Sequence, residues 1–508
     1  MTDTYGKIFL IGAGPGDPGL ITIKATECIQ NADVVVYDYL ASPALLEYAK
    51  ADSEIIYVGK KGGDHTLSQD GINDLLIQKA KQGLIVARLK GGDPFIFGRG
   101  GEEAELISKN NIPFEIVPGV TSAIAAPAYA GIPLTHREHA SSVSIITGHE
   151  DPTKKDSTIE WESFAKSTST LVFLMGVKNL GGIVENLQKY GKNPKTPIAL
   201  VRWGTTPKQR SVTGTLETIV ENVKKANLKS PAIIIIGSVV TLKDKLKWFE
   251  NLPLLGKKIV VTRAREQASG FIKLLRKAGA ECIEMPTIKI SPPQDNKPLE
   301  DSINNIKSFD WIVFTSVNGI KFFFDTLYSM DKDVRILGHL KFACIGPVTK
   351  EKLAEFGIIS DVLPKTYKAE SVIESFADKN IKGKNILIPR AKVARAILPQ
   401  ELLRMGAVIT EVTAYETNIV EKGKDDLIKK LENNEIDMVT FTSSSTVENF
   451  TKLIPENKFK DLVNKITCAC IGPITEKTAL SLGFKPEIVA EDYTIDGLMD
   501  SILKHCKK

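Results

Sequence analysis

Gly12-Ala13-Gly14-Pro15-Gly16-Asp17-Pro18 follows the apolar run Ile8-Phe9-Leu10-Ile11, and Arg88-Leu89-Lys90-Gly91-Gly92-Asp93-Pro94-Phe95-Ile96-Phe97-Gly98-Arg99-Gly100 follows Leu84-Ile85-Val86-Ala87. Each apolar run has the length of a short buried strand. Each glycine-rich stretch therefore sits where a strand of an open α/β sheet runs out, the usual position for a ligand crevice. Glycine there permits backbone angles and close approaches that a Cβ would block, and proline fixes the shape of the loop. A dinucleotide fingerprint does not fit, because G-x-G-x-x-G from Gly12 requires glycine where Asp17 stands. A helix opening through Pro15 and Pro18 would also be poor. Either stretch alone reads equally well as a tight turn; together they point to one site.

At 508 residues the chain is too long for one ordinary domain, and roughly three or four compact units are expected. Hydrophobic residues at 43% and charged residues at 25% are the proportions of a soluble globular protein. Met1 to Lys7 is polar and does not read as a signal peptide, and no apolar run is long enough to span a membrane. The six cysteines lack metal-ligand spacing or a disulfide framework. They are expected as buried small residues in a reducing cytoplasm, with no metal site. The net charge of +5 suits an anionic small substrate, and no dense Lys/Arg run suggests nucleic acid.

Apolar runs alternate with amphipathic stretches through the first half: Val34-Val35-Val36-Tyr37, Glu54 to Val58, Ile85 to Arg88, Pro113 to Val117, Ser144 to Thr147, Leu171 to Met175, Ile198 to Val201 and Ala232 to Ile236. That alternation predicts an α/β architecture of two lobes meeting at a cleft. The small-residue run Pro118-Gly119-Val120-Thr121-Ser122-Ala123-Ile124-Ala125-Ala126 reads as a helix start packed closely against something.

Those motifs occur in order with Ala32 to Asp38, Val58-Gly59-Lys60, Leu134-Thr135-His136-Arg137, Thr147-Gly148-His149 and Phe173-Leu174-Met175-Gly176-Val177. In this combination the first half closely resembles the uroporphyrinogen-III C-methyltransferases of the tetrapyrrole (precorrin-type) methylase family. The resemblance implies the two-lobed tetrapyrrole methylase fold, with S-adenosylmethionine as methyl donor. The implied acceptor is uroporphyrinogen III, methylated twice to precorrin-2. Mapped onto this sequence, the cofactor contacts are Pro15, Gly91, Gly92, Asp93, Ile96, Thr121, Ser122, Met175 and Gly204, with Asp38 as proton acceptor and Lys60 as proton donor. The alternatives are a hydrogen-bond acceptor for pyrrole N–H groups or a helix or turn cap for Asp38, and a solvated loop or a contact to a substrate carboxylate for Lys60. Arg88, Lys90, Arg99 and Arg137 are candidate partners for the acceptor's carboxylates, or plain surface charges. The family also implies a homodimer through this half.

A proline and a glycine after Trp248-Phe249 place a joint at 251–256, with a methylase domain at 1–250 and a second domain at 257–508. From there the chain repeats itself. Gly256-Lys257-Lys258-Ile259 with Arg263 recurs as Gly383-Lys384-Asn385-Ile386 with Arg390, Phe309 to Ser316 as Ile436 to Ser443, and Cys344-Ile345-Gly346-Pro347-Val348-Thr349 as Cys470-Ile471-Gly472-Pro473-Ile474-Thr475. A repeat of this length is a duplicated α/β domain, giving a pair of flavodoxin-like lobes. The hydroxyl and Gly-Pro ends of its strands place helix starts where anions bind, or where ordinary caps stand.

The order of these blocks resembles uroporphyrinogen-III synthase. That resemblance implies cyclisation of hydroxymethylbilane with loss of water and inversion of the fourth ring, without a cofactor. It also implies one lobe of about 257–288 plus 420–508 and another of about 289–419. By position Tyr415 would assist departure of the hydroxyl, or be a core tyrosine, and Ser316, Thr349, Ser443 and Thr475 would contact substrate. The product would feed sirohaem or corrinoid synthesis. The alternative is a methylase fused to a non-catalytic two-lobed tetrapyrrole-binding module.

Overall fold

Short runs of Ile, Val, Leu and Ala bounded by glycine, proline or a hydroxyl residue become strands, and the amphipathic stretches between them become the helices that cover those strands. The structure, a computed structural model, describes residues 5–59, 67–149, 159–167, 169–263, 265–363, 375–376, 379–392, 397–419 and 423–507. Two compact units are present. One comprises Met1–Lys258 with Leu274–Glu281 and Leu503–Lys508, the other Ile259–Lys273 with Cys282–Ile502.

The first unit opens with β1 (Ile8–Gly12), β2 (Val34–Tyr37), β3 (Glu54–Tyr57), β4 (Val86–Lys90) and β5 (Phe114–Val117), all parallel in the order β3-β2-β4-β1-β5. A central parallel strand is buried on both faces, which explains runs without polar alternation. Ile8, Leu10, Val34, Val36 and Val86 enter one core; Ile11, Val35, Ala87 and Leu89 enter the other. The order reverses beside β1 and β4, so the ends of those strands flank a crevice.

A second sheet holds β6 (Val143–Thr147), β7 (Thr170–Leu174), β8 (Pro197–Arg202), β9 (Arg210–Thr215) and β10 (Ala232–Ile236) in the order β6-β7-β10-β8-β9. β10 is antiparallel to both β7 and β8, and β6 is parallel to β7. β6, β7 and β8 therefore end at one edge. The helix Ser122–Tyr129 leaves the first sheet at β5 and packs Ala123 and Ala126 against Val172, Leu174, Ala199 and Val201 of the second. This accounts for the small-residue run after Gly119. β9 escaped the reading of apolar runs, because Arg210-Ser211-Val212-Thr213-Gly214-Thr215 carries one large aliphatic residue. It is an edge strand with β8 as its neighbour.

The second half builds two more five-stranded sheets. β11 (Lys258–Val261), β12 (Glu281–Glu284), β18 (Met438–Phe441), β19 (Thr467–Cys470) and β20 (Pro486–Val489) lie in the order β12-β11-β18-β19-β20. β13 (Ile288–Ser291), β14 (Trp311–Phe314), β15 (Lys341–Cys344), β16 (Asn385–Ala391) and β17 (Val408–Ile419) lie in the order β13-β17-β16-β14-β15. The first sheet has the flavodoxin-like 2-1-3-4-5 order; the second keeps the equivalent 2-1-3-4 run and adds β13 antiparallel at its edge. The duplication is crossed, since β11 of one repeat pairs with β18 of the other while β16 pairs with β14.

Candidate active sites

Three loops meet at the ends of β1, β4 and β5. Gly14 and Gly92 exchange backbone hydrogen bonds of 3.2 and 2.7 Å, and Gly119 lies against Gly12 and Gly92. A Cβ on Gly12 would stand 2.4 Å from the Gly119 nitrogen and 2.8 Å from the Gly92 oxygen. These contacts are backbone on backbone, so glycine is required there. Asp93 holds the arrangement together. Its Oδ2 accepts from the Gly119 N–H at 3.0 Å and its Oδ1 from the Phe95 N–H at 2.8 Å. Both carboxylate oxygens thus shape the loops. Thr121, next to Gly92, caps the helix that begins at Ser122 by accepting from the Ala123 N–H.

The structure therefore brings Pro15, Gly91, Gly92, Asp93, Thr121 and Ser122 to one sheet end. Ile96 is exposed in the same loop as Asp93. Gly204, after β8, packs on Ala126 of the shared helix, where a Cβ would lie 2.3 Å from that methyl group. Met175, after β7, is half exposed with φ 58 and ends its strand at the same edge as Gly204. The first glycine loop is tied to this second lobe. Asp17 accepts from the Tyr129 hydroxyl at 2.7 Å, and its N–H donates to Thr205 Oγ1 at 3.1 Å. Burial, with the Asp17 carboxylate beside it, pushes the Tyr129 phenol upward.

Asp38 follows β2, whose Val36 stands opposite Arg88 of β4. Residues two apart on a strand share a face, so Asp38, Arg88 and Lys90 face the same way. Arg88 Nη2 donates to Asp38 Oδ2 at 3.1 Å, and Arg88 Nη1 to the Leu89 carbonyl at 2.8 Å. Lys90 Nζ donates to Glu103 Oε1 at 2.5 Å. Arg88 is only 3% exposed. It is therefore not an open partner for a substrate carboxylate, as the sequence suggested, but a buried cation behind Asp38; Lys90 is buried likewise. Burial first, and then the neighbouring Arg88 charge, push the Lys90 ammonium down, with Glu103 opposing. Arg99 is exposed and paired with Glu102, and Arg137 is exposed. Lys60 lies outside the described residues.

Sequence reasoning passed over Tyr39 and Trp203, which meet edge to face at 5.7 Å, and the exposed Leu40, Phe95 and Phe97. Their signal was an aromatic residue directly after Asp38 and another directly before Gly204. Such surfaces offer flat apolar contact beside the cradle. A second signal is the crowding of His136, Glu138 and His139. His136 Nδ1 already accepts from the Glu138 N–H at 3.2 Å.

In the second half, Ser316 and Ser443 occupy equivalent N-caps after β14 and β18. Ser316 Oγ accepts from the Gly319 N–H and lies 3.0 Å from the Tyr415 hydroxyl. Tyr415 is 9% exposed and stacks on Phe322. Ser443 forms a capping box with Thr446 and has Ser445 as its hydroxyl neighbour. Thr349 and Thr475 sit in the first turns after β15 and β19 and are buried, so the neighbouring Val348 and Ile474 present more surface than either threonine. These two exposed aliphatic side chains occupy the same place in both repeats.

Residues 7–220 match the family model for tetrapyrrole (corrin/porphyrin) methylases, and residues 269–500 match that for uroporphyrinogen-III synthase HemD. A porphyrin biosynthesis protein HemD from Ruminiclostridium josui is 40% identical over 98% of this chain and 98% of its own length. The chain belongs to that family of methylase–synthase fusions. Its methylase half is also 54% identical to the S-adenosyl-L-methionine-dependent uroporphyrinogen III methyltransferase of Methanosarcina barkeri, over 48% of this chain and 96% of that one. A crystal structure of uroporphyrin-III C-methyl transferase from Thermus thermophilus, complexed with S-adenyl homocysteine, is 40% identical over 47% of this chain and 100% of that chain, with a TM-score of 0.40. The glycine cradle and Asp38 lie in the methylase half, and the paired N-caps with Tyr415 in the synthase half. Among the described residues of either half, no helix is long and apolar enough to cross a membrane.

Proposed function

We propose that the synthase half closes hydroxymethylbilane to uroporphyrinogen III and that the methylase half converts this product to precorrin-2 with two methyl groups from S-adenosylmethionine. The domains would be 1–250 and 257–508, joined by 251–256, with synthase lobes of about 257–288 plus 420–508 and about 289–419. The observation that carries the methyl-transfer reading is the backbone cradle of Gly12, Gly92 and Gly119. Gly12 and Gly119 pack there backbone on backbone, and only at Gly92, where a Cβ would come no nearer than 3.7 Å to Thr121 and Ser122, is main chain left for a nucleoside-bearing donor to approach closely. Pro15, Gly91, Gly92, Thr121, Ser122, Ile96, Met175 and Gly204 would hold the donor, and Asp93 would keep the loops in place.

The bound sulfonium supplies the methyl group. The chain supplies an in-line approach, a dry apolar face and a place for positive charge. As a pyrrole carbon gains the methyl, the ring becomes cationic and then sheds a proton. Asp38, the carboxylate at the open end of its charged cluster, accepts pyrrole N–H hydrogen bonds and takes that proton. Arg99 and Arg137 would bind the acceptor's carboxylates, and Tyr39 and Trp203 its flat faces.

In the synthase half, closure breaks the C–O bond of the terminal hydroxymethyl group and releases water, a proton being needed by the leaving oxygen. The Tyr415–Ser316 hydroxyl pair would supply it. Helix starts bearing Thr349, Ser443 and Thr475 would receive substrate carboxylates. A homodimer through the methylase half and a cytoplasmic location complete the reading, and sirohaem or corrinoid synthesis would consume the product.

The test supplies freshly generated hydroxymethylbilane to the purified chain, anaerobically, with and without S-adenosylmethionine, and resolves products by isomer and methyl count. Mainly III isomer without the donor and a dimethylated product with it are expected. Mainly I isomer would remove the synthase reading, and unmethylated III isomer in the presence of donor would remove the methylase one.

A further inference from the structure

Four charged side chains of the methylase half lie in one string beneath the end of the first sheet. Asp38 follows β2, Arg88 and Lys90 belong to β4, and Glu103 comes from the helix Gly100–Lys109 that covers the same face. Only Asp38 reaches solvent, with a side chain 27% exposed; Glu103 is at 0%. Glu103 Oε1 accepts from Lys90 Nζ at 2.5 Å and from Gln69 Nε2 at 2.9 Å, and stands 3.8 Å from Arg88 Nε. The string holds two cations and two carboxylates.

We propose that Glu103 is a positioning residue for methyl transfer, which fixes the Asp38 carboxylate at the cleft through Arg88 and Lys90 without touching either substrate. This inference rests on the reading of Asp38 given above. Arg88 and Lys90 share a strand face two residues apart, so their charges repel across a distance from which water is excluded. A buried cation needs a counter-charge within hydrogen-bond reach. Glu103 supplies it from below, anchored by Gln69. With Lys90 satisfied there, the guanidinium of Arg88 is left to splint Asp38 with Nη2 while Nη1 is pinned to the Leu89 carbonyl. Without the Glu103 charge, one carboxylate faces two buried cations. Asp38 is then drawn inward and its charge is consumed by the protein, at the expense of the pyrrole.

The experiment measures methyl transfer to uroporphyrinogen III in the full chain for Glu103→Gln, Glu103→Asp, Asp38→Asn and the double variant Asp38→Asn/Glu103→Gln. Glu103→Gln is expected to lower kcat at least tenfold while the KM for uroporphyrinogen III and the Kd for S-adenosylmethionine stay within threefold. Glu103→Asp, which restores the charge, should recover part of that loss. In the Asp38→Asn background, Glu103→Gln should cost no more than a further twofold, because its effect runs through Asp38. A general structural role would instead multiply the two losses or weaken donor binding in step with kcat, and either result overturns the proposal. An unimpaired Glu103→Gln beside an impaired Asp38→Asn overturns the proposal alone. An unimpaired Asp38→Asn overturns the reading of Asp38 and the proposal with it.

Discussion

Removing the guanidinium of Arg88 leaves Asp38 without its splint and Lys90 as the sole buried cation against Glu103. Breaking a buried ion pair from one side typically costs about 3 to 5 kcal/mol, because the remaining charge stays desolvated. Because the abandoned Asp38 reaches solvent and Lys90 keeps Glu103, Arg88→Met should lose less than that, about 1 to 3 kcal/mol, in urea unfolding of the methylase half; a smaller loss would mean that water reaches the cluster. Tyr415 permits a cleaner separation of roles. Tyr415→Phe removes the hydroxyl 3.0 Å from Ser316 but keeps the stacking on Phe322. A hydrogen bond of that kind is worth about 1 kcal/mol. The stability loss should be of that size, while the rate of III-isomer formation should fall at least tenfold. An unchanged rate would make Tyr415 a core residue only. Glu115 illustrates the surface case. Hydrogen bonds from Lys24 and Lys7 hold its carboxyl at about 2 instead of 4.5. A depressed carboxylate contributes stability above its unfolded value and loses it as pH falls through the folded one. Titration of the Glu115 side-chain carbon by NMR should therefore show protonation near pH 2, and any stabilisation by these exposed pairs should be small and fade below pH 4.5.

At the scale of elements, the first glycine loop carries a sharp expectation. A methyl group on Gly12 meets backbone atoms of Gly119 and Gly92 that have no side-chain freedom with which to yield. Gly12→Ala should weaken S-adenosylmethionine binding at least tenfold by calorimetry, with the synthase activity of the same chain unchanged. Much at this scale could be read in the sequence. The central strands β1 and β10 are apolar runs, and the loops after β1 and β4 declared themselves by glycine and proline. β9 did not, because a polar edge strand has the composition of a loop. Nor did the charged cluster. Polar letters read as surface, and the alternation Val86-Ala87-Arg88-Leu89-Lys90 becomes informative once β4 is known to lie in the middle of the sheet, where either face is covered. The burial of Thr349 and Thr475 was likewise not legible. Their hydroxyls mark helix starts, but the side chains turn inward and leave Val348 and Ile474 outermost.

At the scale of the molecule, the crossed duplication decides what can form and when. The middle lobe draws β13 to β17 from one continuous stretch, Ile288 to Ile419. The other lobe needs β11, made early, and β18, which begins at Met438. A ribosome working from the N-terminus has therefore released every strand of the methylase half and of the middle lobe while the β11–β12 pair still waits for β18. Until Phe441 emerges, β11 offers an unpaired strand edge, the kind of surface on which nascent chains join one another. The period of greatest danger for this protein thus comes late in translation, and a chaperone that shields it would have to act on Lys258–Val261, long after those residues have left the exit tunnel.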